Sequence, residues 1–196
     1  EADWTEWIDP NGHVVEKTIY FPEDSCHELE YYCEDGLGNA GPVYSEIDIV
    51  DNQAPEIKKE IVGPKYGECP PEYEEGDCYI DGTTEIHVDA IDPLPHPVND
   101  VWCELWYTVD GGDGNGGEGK PPFVIKFPEE SEHTLYIECW DALGNPARDV
   151  ETFLVDHTPP ETDKTYGKPL YKNESGEWIT SDTEITLTVE DAGPHK

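Results

Sequence analysis

Cations are scarce in this chain: 11 lysines and arginines face 46 aspartates and glutamates, a formal charge of -35 at pH 7. A surface of that sign repels DNA, RNA and anionic lipid, which sets nucleic acid and membrane surfaces aside as partners. An acidic surplus suits divalent cations, a salty or hot habitat, or simply a well-solvated surface, so charge alone names no partner. No run is apolar enough to span a bilayer, and no membrane insertion is expected within this segment. Methionine is absent altogether, the initiator included, and no leader precedes the first residues, so a mature or excised segment of a longer protein is expected. No stretch follows a helical period. There is no CxxC pair, and seven scattered histidines lack ligand spacing, which argues against a zinc ribbon. No serine, cysteine or lysine sits in a recognisable nucleophile context, and carboxylates are too abundant for an acid and base pair to stand out; nothing argues for an enzyme.

What is present points to an all-β, loop-rich, disulfide-bearing extracellular protein: 18 prolines, 18 glycines and six cysteines. The chain also repeats itself. FPEESEHTLYIECWDALGN at 127–145 has a second copy, FPEDSCHELEYYCEDGLGN, at 21–39, with 11 of 19 positions identical at a separation of 106 residues. That period is one small domain. The linker Asp51-Asn52-Gln53-Ala54-Pro55 has its counterpart in Asp156-His157-Thr158-Pro159-Pro160, which puts domain boundaries near 52 and 157.

Between those boundaries, strand-like runs fall at 56–62, 84–91, 101–109, 123–127, 133–140 and 148–155, separated by Gly, Pro and Asp turns. Six short strands in 105 residues read as an immunoglobulin-like β-sandwich. After 157 the pattern restarts, Thr183-Glu184-Ile185 repeating Thr84-Glu85-Ile86, and stops where a strand carrying Trp102 and Trp106 would follow. The N-terminal residues begin in such a strand, at Trp4 and Trp7. The expected architecture is therefore tandem sandwich domains: residues 1–51 the C-terminal half of one, 52–156 a complete one, and 157–196 the N-terminal half of another. The halves, 51 and 40 residues, fall 14 short of the 105-residue whole, a difference assigned to the 69–78 insertion and the glycine loop at 111–119.

The residues Val155-Asp156-His157-Thr158-Pro159-Pro160, Trp178-Ile179-Thr180-Ser181-Asp182-Thr183 and Trp140-Asp141-Ala142-Leu143-Gly144-Asn145 resemble the tandem immunoglobulin-like repeats of archaeal and bacterial cell-surface proteins. The resemblance implies stalks, surface layers, filaments and adhesins. The cysteines and the acidity depart from it.

Several residues are candidates for binding or assembly. Asp48, Asp51 and Asn52 lie in a run similar to the calcium linker of cadherins, and Asp110, Asp113, Asn115 and Glu118 alternate oxygen ligands with turn residues in the glycine loop. Calcium is the cation such groups take, although a solvated acidic loop is the commoner explanation of either. Asp141 and Asn145, like Asp35 and Asn39, are expected to shape a tight turn. Six cysteines can pair in fifteen ways. Cys103 and Cys139 both fall on inward strand faces, and Cys69 and Cys78 close a small loop. Cys26 and Cys33 sit seven extended residues apart, roughly 23 Å, beyond the reach of about 7 Å that a disulfide needs. One of them is left to seek a partner in another repeat or chain. Trp102 and Trp106 on one strand and Tyr136 and Trp140 on another make an outward aromatic patch if those strands are neighbours; cover by the chain's own loops is the plain alternative. Asn173 begins the only N-glycosylation sequon, Asn173-Glu174-Ser175.

The expected function is structural: the repeating unit of a cell-surface filament, stalk or surface layer, assembled head to tail with copies of itself or adjoining repeats. Trp4, Trp7, Ile179, Ile185 and Leu187 would lie at the assembly junction. The rival reading is an adhesin or a module binding glycans or other cell-surface ligands.

Overall fold

A computed structural model describes residues 17–72, 77–94, 98 and 100–191. Trp4, Trp7 and the strand expected around them lie outside the described residues. The described chain is all β, with no helix. It separates into two compact units, Glu1–Gln53 with Leu94–Pro97, and Ala54–Pro93 with Val98–Lys196.

In the first unit, β1 (Ser25–Tyr31) and β2 (Tyr44–Val50) form an antiparallel two-stranded sheet in which Leu29 lies opposite Glu46 and Tyr31 opposite Tyr44. The second unit begins with β3 (Glu56–Val62), β4 (Lys65–Gly67), β5 (Cys78–Ile80), β6 (Glu85–Ile91), β7 (Trp102–Val109), β8 (Gly116–Gly119), β9 (Phe123–Ile125), β10 (Glu132–Trp140) and β11 (Pro146–Val155). These strands form a six-stranded sheet, ordered β4-β5-β11-β10-β7-β8, and a three-stranded sheet, β3-β6-β9. Neither closes into a barrel. All six strands expected from the sequence are present, and alternation decides their faces. On β10, His133, Leu135, Ile137 and Cys139 are buried while Thr134, Tyr136, Glu138 and Trp140 are half-exposed.

The inward residues of both sheets build one core. Ile86 and Val88 on the smaller sheet share it with Leu135, Ile137 and Phe153 on the larger, and Phe127 stacks on His133 at 4.3 Å. Among the described residues one cation bridges the sheets: the Lys59 ammonium on β3 lies 2.7 Å from a Glu151 oxygen and 2.6 Å from an Asp149 oxygen, both on β11. Its side chain and that of Glu151 are buried, so two charges removed from water are satisfied by one another. Burial raises the Glu151 carboxyl above its usual range, against the opposing pull of Lys59.

The glycine loop differs from expectation, since Gly116–Gly119 is a strand paired to β7. The missing side chain at Gly116 permits it: a Cβ there would lie 2.7 Å from the Leu105 carbonyl oxygen.

Beyond β11 the unit continues as β12 (Glu161–Tyr166), β13 (Leu170–Asn173), β14 (Gly176–Ile179) and β15 (Ile185–Glu190), which make two separate two-stranded sheets, β12-β15 and β13-β14. Glu130 accepts a hydrogen bond from the Thr158 hydroxyl, tying the start of this segment to the sandwich.

Candidate interaction surfaces

The outward face of the six-stranded sheet carries the aromatic residues. The register sets Trp106 directly opposite Tyr136 and Trp102 opposite Trp140, so the strands are neighbours as the patch requires. Trp106 and Tyr136 stack with ring centroids 5.3 Å apart. Both tryptophans on β7 are exposed, and Tyr136 and Trp140 are half-exposed. Between the two aromatic pairs runs a row of carboxylates, Glu118, Glu104 and Glu138, closed by an Arg148 that bonds Glu138. The patch is thus two aromatic steps divided by an acidic one.

Two disulfides form, Cys69 to Cys78 and Cys103 to Cys139. Cys103 and Cys139 face each other across β7 and β10 and are fully buried, which follows from their shared inward parity. Cys26 and Cys33 are exposed and not disulfide-bonded. Disulfides persist in oxidising compartments, and no helix among the described residues is long and apolar enough to cross a membrane.

The turn after β10 is held by Asp141, whose one carboxylate oxygen accepts the Leu143 and Asn145 amides at 2.8 and 2.9 Å while the other accepts the Asn145 side chain at 2.7 Å. Burial pushes the Asp141 carboxyl up, but these hydrogen bonds outweigh it and hold it below the usual range. Asp35 makes the same three bonds to Leu37 and Asn39, at 2.9, 2.9 and 2.8 Å. Gly144 and Gly38 take matching positive φ angles of 89° and 87°. His27 stacks on Phe21 at 4.3 Å, as His133 does on Phe127. The turn and the stacked histidine therefore share their geometry between the two copies.

The residues named for calcium differ in burial and in bonding. Asp48 and Asn52 are exposed, while Asp51 is buried with an oxygen accepting the Gln53 amide. Asp110 has a positive φ of 48° and staples the glycine turn to β10, its carboxylate accepting the Glu132 amide at 2.9 Å and its own amide donating to the Glu132 carbonyl. Asp113 lies exposed in the loop, the Asn115 carbonyl accepts the Tyr107 amide, and Glu118 joins the acidic row on the sheet. Sequence reasoning passed over Asp92 as a ligand: it is buried, with a carboxylate oxygen within 4.8 Å of one on Asp141. Its recurrence as Asp191 was the available signal.

Asn173 ends β13, and its side chain accepts the Ser175 amide at 2.9 Å across an exposed turn, leaving the sequon accessible. Ile179, Ile185 and Leu187 are exposed, as are Tyr171 and Trp178. In register the segment follows the start of the sandwich: Lys164 pairs with Leu187 and Tyr166 with Ile185, just as Lys59 pairs with Val88 and Ile61 with Ile86. The Thr183 hydroxyl donates to the Pro169 carbonyl at 2.6 Å, as Thr84 does to Pro64 at 2.7 Å. Among the described residues, no other strand pairs with either the β12-β15 or the β13-β14 sheet.

These features define an all-β, disulfide-bearing protein built of sheets packed through inward apolar faces. Compared with known proteins, the chain matches no family model, no curated protein and no solved structure.

Proposed function

We propose that the chain is a non-enzymatic extracellular structural protein, a stretch of tandem immunoglobulin-like sandwiches repeating head to tail in a cell-surface filament, stalk or surface layer. One observation carries this reading. Ile86, Val88 and Ala90 on β6 are 0, 0 and 5% exposed, whereas Ile185, Leu187 and Val189, at the matching places on β15, are 50, 65 and 64% exposed. A contiguous row of core-type residues left open marks an interaction surface. Fully burying such side chains contributes about 1.5–3 kcal/mol each. The β1–β2 hairpin carries what a covering layer needs, with His27, Leu29 and Tyr31 at the places held by His133, Leu135 and Ile137 in the complete sandwich. In this reading residues 1–51, 52–156 and 157–196 are a second half, a whole and a first half. Each junction completes a sandwich, between covalently adjoining repeats or between separate subunits by strand exchange.

The test is the reduced, denatured mass of the native polypeptide against 22.0 kDa, with sedimentation velocity of the 196-residue chain. A mass many times larger supports the covalent tandem form. A mass near that value with concentration-dependent association supports subunits. A chain of that mass that stays monomeric at high concentration refutes head-to-tail assembly.

The stacked Trp106 and Tyr136 on an open sheet favour a second role for the complete sandwich, as an adhesin or glycan-binding surface. Binding on a glycan array that is lost in Trp102→Ala or Trp140→Ala would support it.

A further inference from the structure

We infer that Lys164 of one copy forms a buried ion pair with Glu46 of a second copy, and that this pair fixes the register in which the second copy's hairpin closes the open sheet. The inference rests on the head-to-tail reading above and commits it to one set of contacts.

The argument runs through the complete sandwich, where Lys59 bridges the sheets to Glu151 and Asp149. Lys59 lies opposite Val88 on its own sheet, and Glu151 lies opposite Leu135 on the other. Lys164 lies opposite Leu187, and Glu46 opposite Leu29. Leu187 and Leu29 are the counterparts of Val88 and Leu135, fixed by the repeats of Thr84-Glu85-Ile86 at Thr183-Glu184-Ile185 and of the stretch 127–145 at 21–39. Lys164 and Glu46 are thus the two ends of the inter-sheet bridge, placed in different half-sandwiches. Both are exposed in the free chain, where the Lys164 ammonium lies 5.0 Å from the Tyr166 ring centroid and the Glu46 carboxylate accepts the Tyr31 hydroxyl at 3.0 Å.

Charge complementarity selects the occupant. Lys164 sits between Thr162 and Tyr166 on the face whose next row is Ile185, Leu187 and Val189. The carboxylate near Lys164 within its own chain is Glu177, which is already bonded to Lys172 at 2.6 Å, so covering that face with a purely apolar layer would bury an ammonium that is only partly offset, a heavy penalty. A covering layer must therefore bring a carboxylate to one particular place, and the hairpin brings Glu46. The site also differs from its model within the chain, because Tyr44 stands where Asp149 does, so the covering layer brings Lys164 one carboxylate instead of two.

Sedimentation velocity of the 196-residue chain, at an ionic strength that screens its net charge, tests the pair. Lys164→Glu and Glu46→Lys are each expected to weaken association about a hundredfold or more. An equimolar mixture of the two is expected to restore it, because every junction in an alternating chain then joins a cation to a carboxylate. Lys58→Glu, which makes the same change in net charge as Lys164→Glu but on the outward side of β3, should associate like the wild type. Both test residues are exposed, so an unchanged near-ultraviolet circular dichroism spectrum confirms folding. Single variants that associate like the wild type, or a mixture no tighter than either alone, overturn the ion pair and leave head-to-tail assembly standing. A wild type that does not associate overturns both.

Discussion

Replacing Lys59 by methionine tests how the sandwich holds the cation that bridges its two sheets. Methionine keeps the length and apolar character of the stem but removes the ammonium from Glu151, whose side chain is 2% exposed, and from Asp149, which at 29% exposed can turn toward water. Glu151 then remains buried with no counter-charge. Breaking a buried pair from one side costs about 3–5 kcal/mol, a large share of the roughly 5–15 kcal/mol that holds a domain folded. The loss should depend on pH. Burial already holds the Glu151 carboxyl above its ordinary range, so the folded state takes up this proton at a higher pH than the unfolded chain. The contribution of the group is thus fully present below the ordinary glutamate range and is lost as pH rises through the raised folded value. Without Lys59 that value rises further, so the deficit of the variant should be largest near neutrality and shrink on acidification. Native-state hydrogen exchange at the Leu135 and Ile137 amides reads this sandwich alone, and protection there should fall at least a hundredfold at neutral pH, at about 1.4 kcal/mol per factor of ten. Adding Glu151→Leu should recover most of it, since an apolar replacement of a buried pair is often neutral. A loss below about 1 kcal/mol, or one that is equal at both ends of the pH range, would refute the reasoning.

Three further outcomes are expected. Cys103→Ala with Cys139→Ala opens a bridge spanning 36 residues and should lower stability by roughly 4 kcal/mol in chemical denaturation. Asp141→Ala removes the three bonds that hold the turn after β10 and should cost about 3 kcal/mol. Because the Asp141 carboxyl is held low, its contribution is present above the ordinary aspartate range and disappears as pH falls through the lowered value, a slope opposite to that of Glu151 and readable in the same titration. Gly116→Ala drives a methyl group against the Leu105 carbonyl and should cost about 1–3 kcal/mol, seen as faster amide exchange along β8 while β10 stays protected.

The sequence carried the local structure and the parity of the strands. A period of two placed Cys103, Leu105, Leu135, Ile137 and Cys139 on inward faces, and all five are buried because alternation along an extended chain leaves a side chain only two directions. The Asp141 turn was legible for the same reason of locality: its carboxylate reaches no farther than Asn145. Cys69 and Cys78, at the ends of a short insertion, were legible as well. Other features join residues distant in the chain and have no local signature. Lys59 and Glu151 are separated by 92 positions, and neither looks like a core residue until two sheets face each other. The stretch 116–119 read as a loop because glycine alone signals flexibility; only the nearby β7 backbone turns the missing side chain of Gly116 into a reason to pair. Ile185, Leu187 and Val189 show the division most plainly. The sequence reading put Ile185 and Leu187 at an assembly junction, and the tertiary structure decided that they and Val189 stay exposed among the strands they pair with. Burial belongs to the whole arrangement of chains, whereas a sequence pattern records only which side of a strand is ready for it.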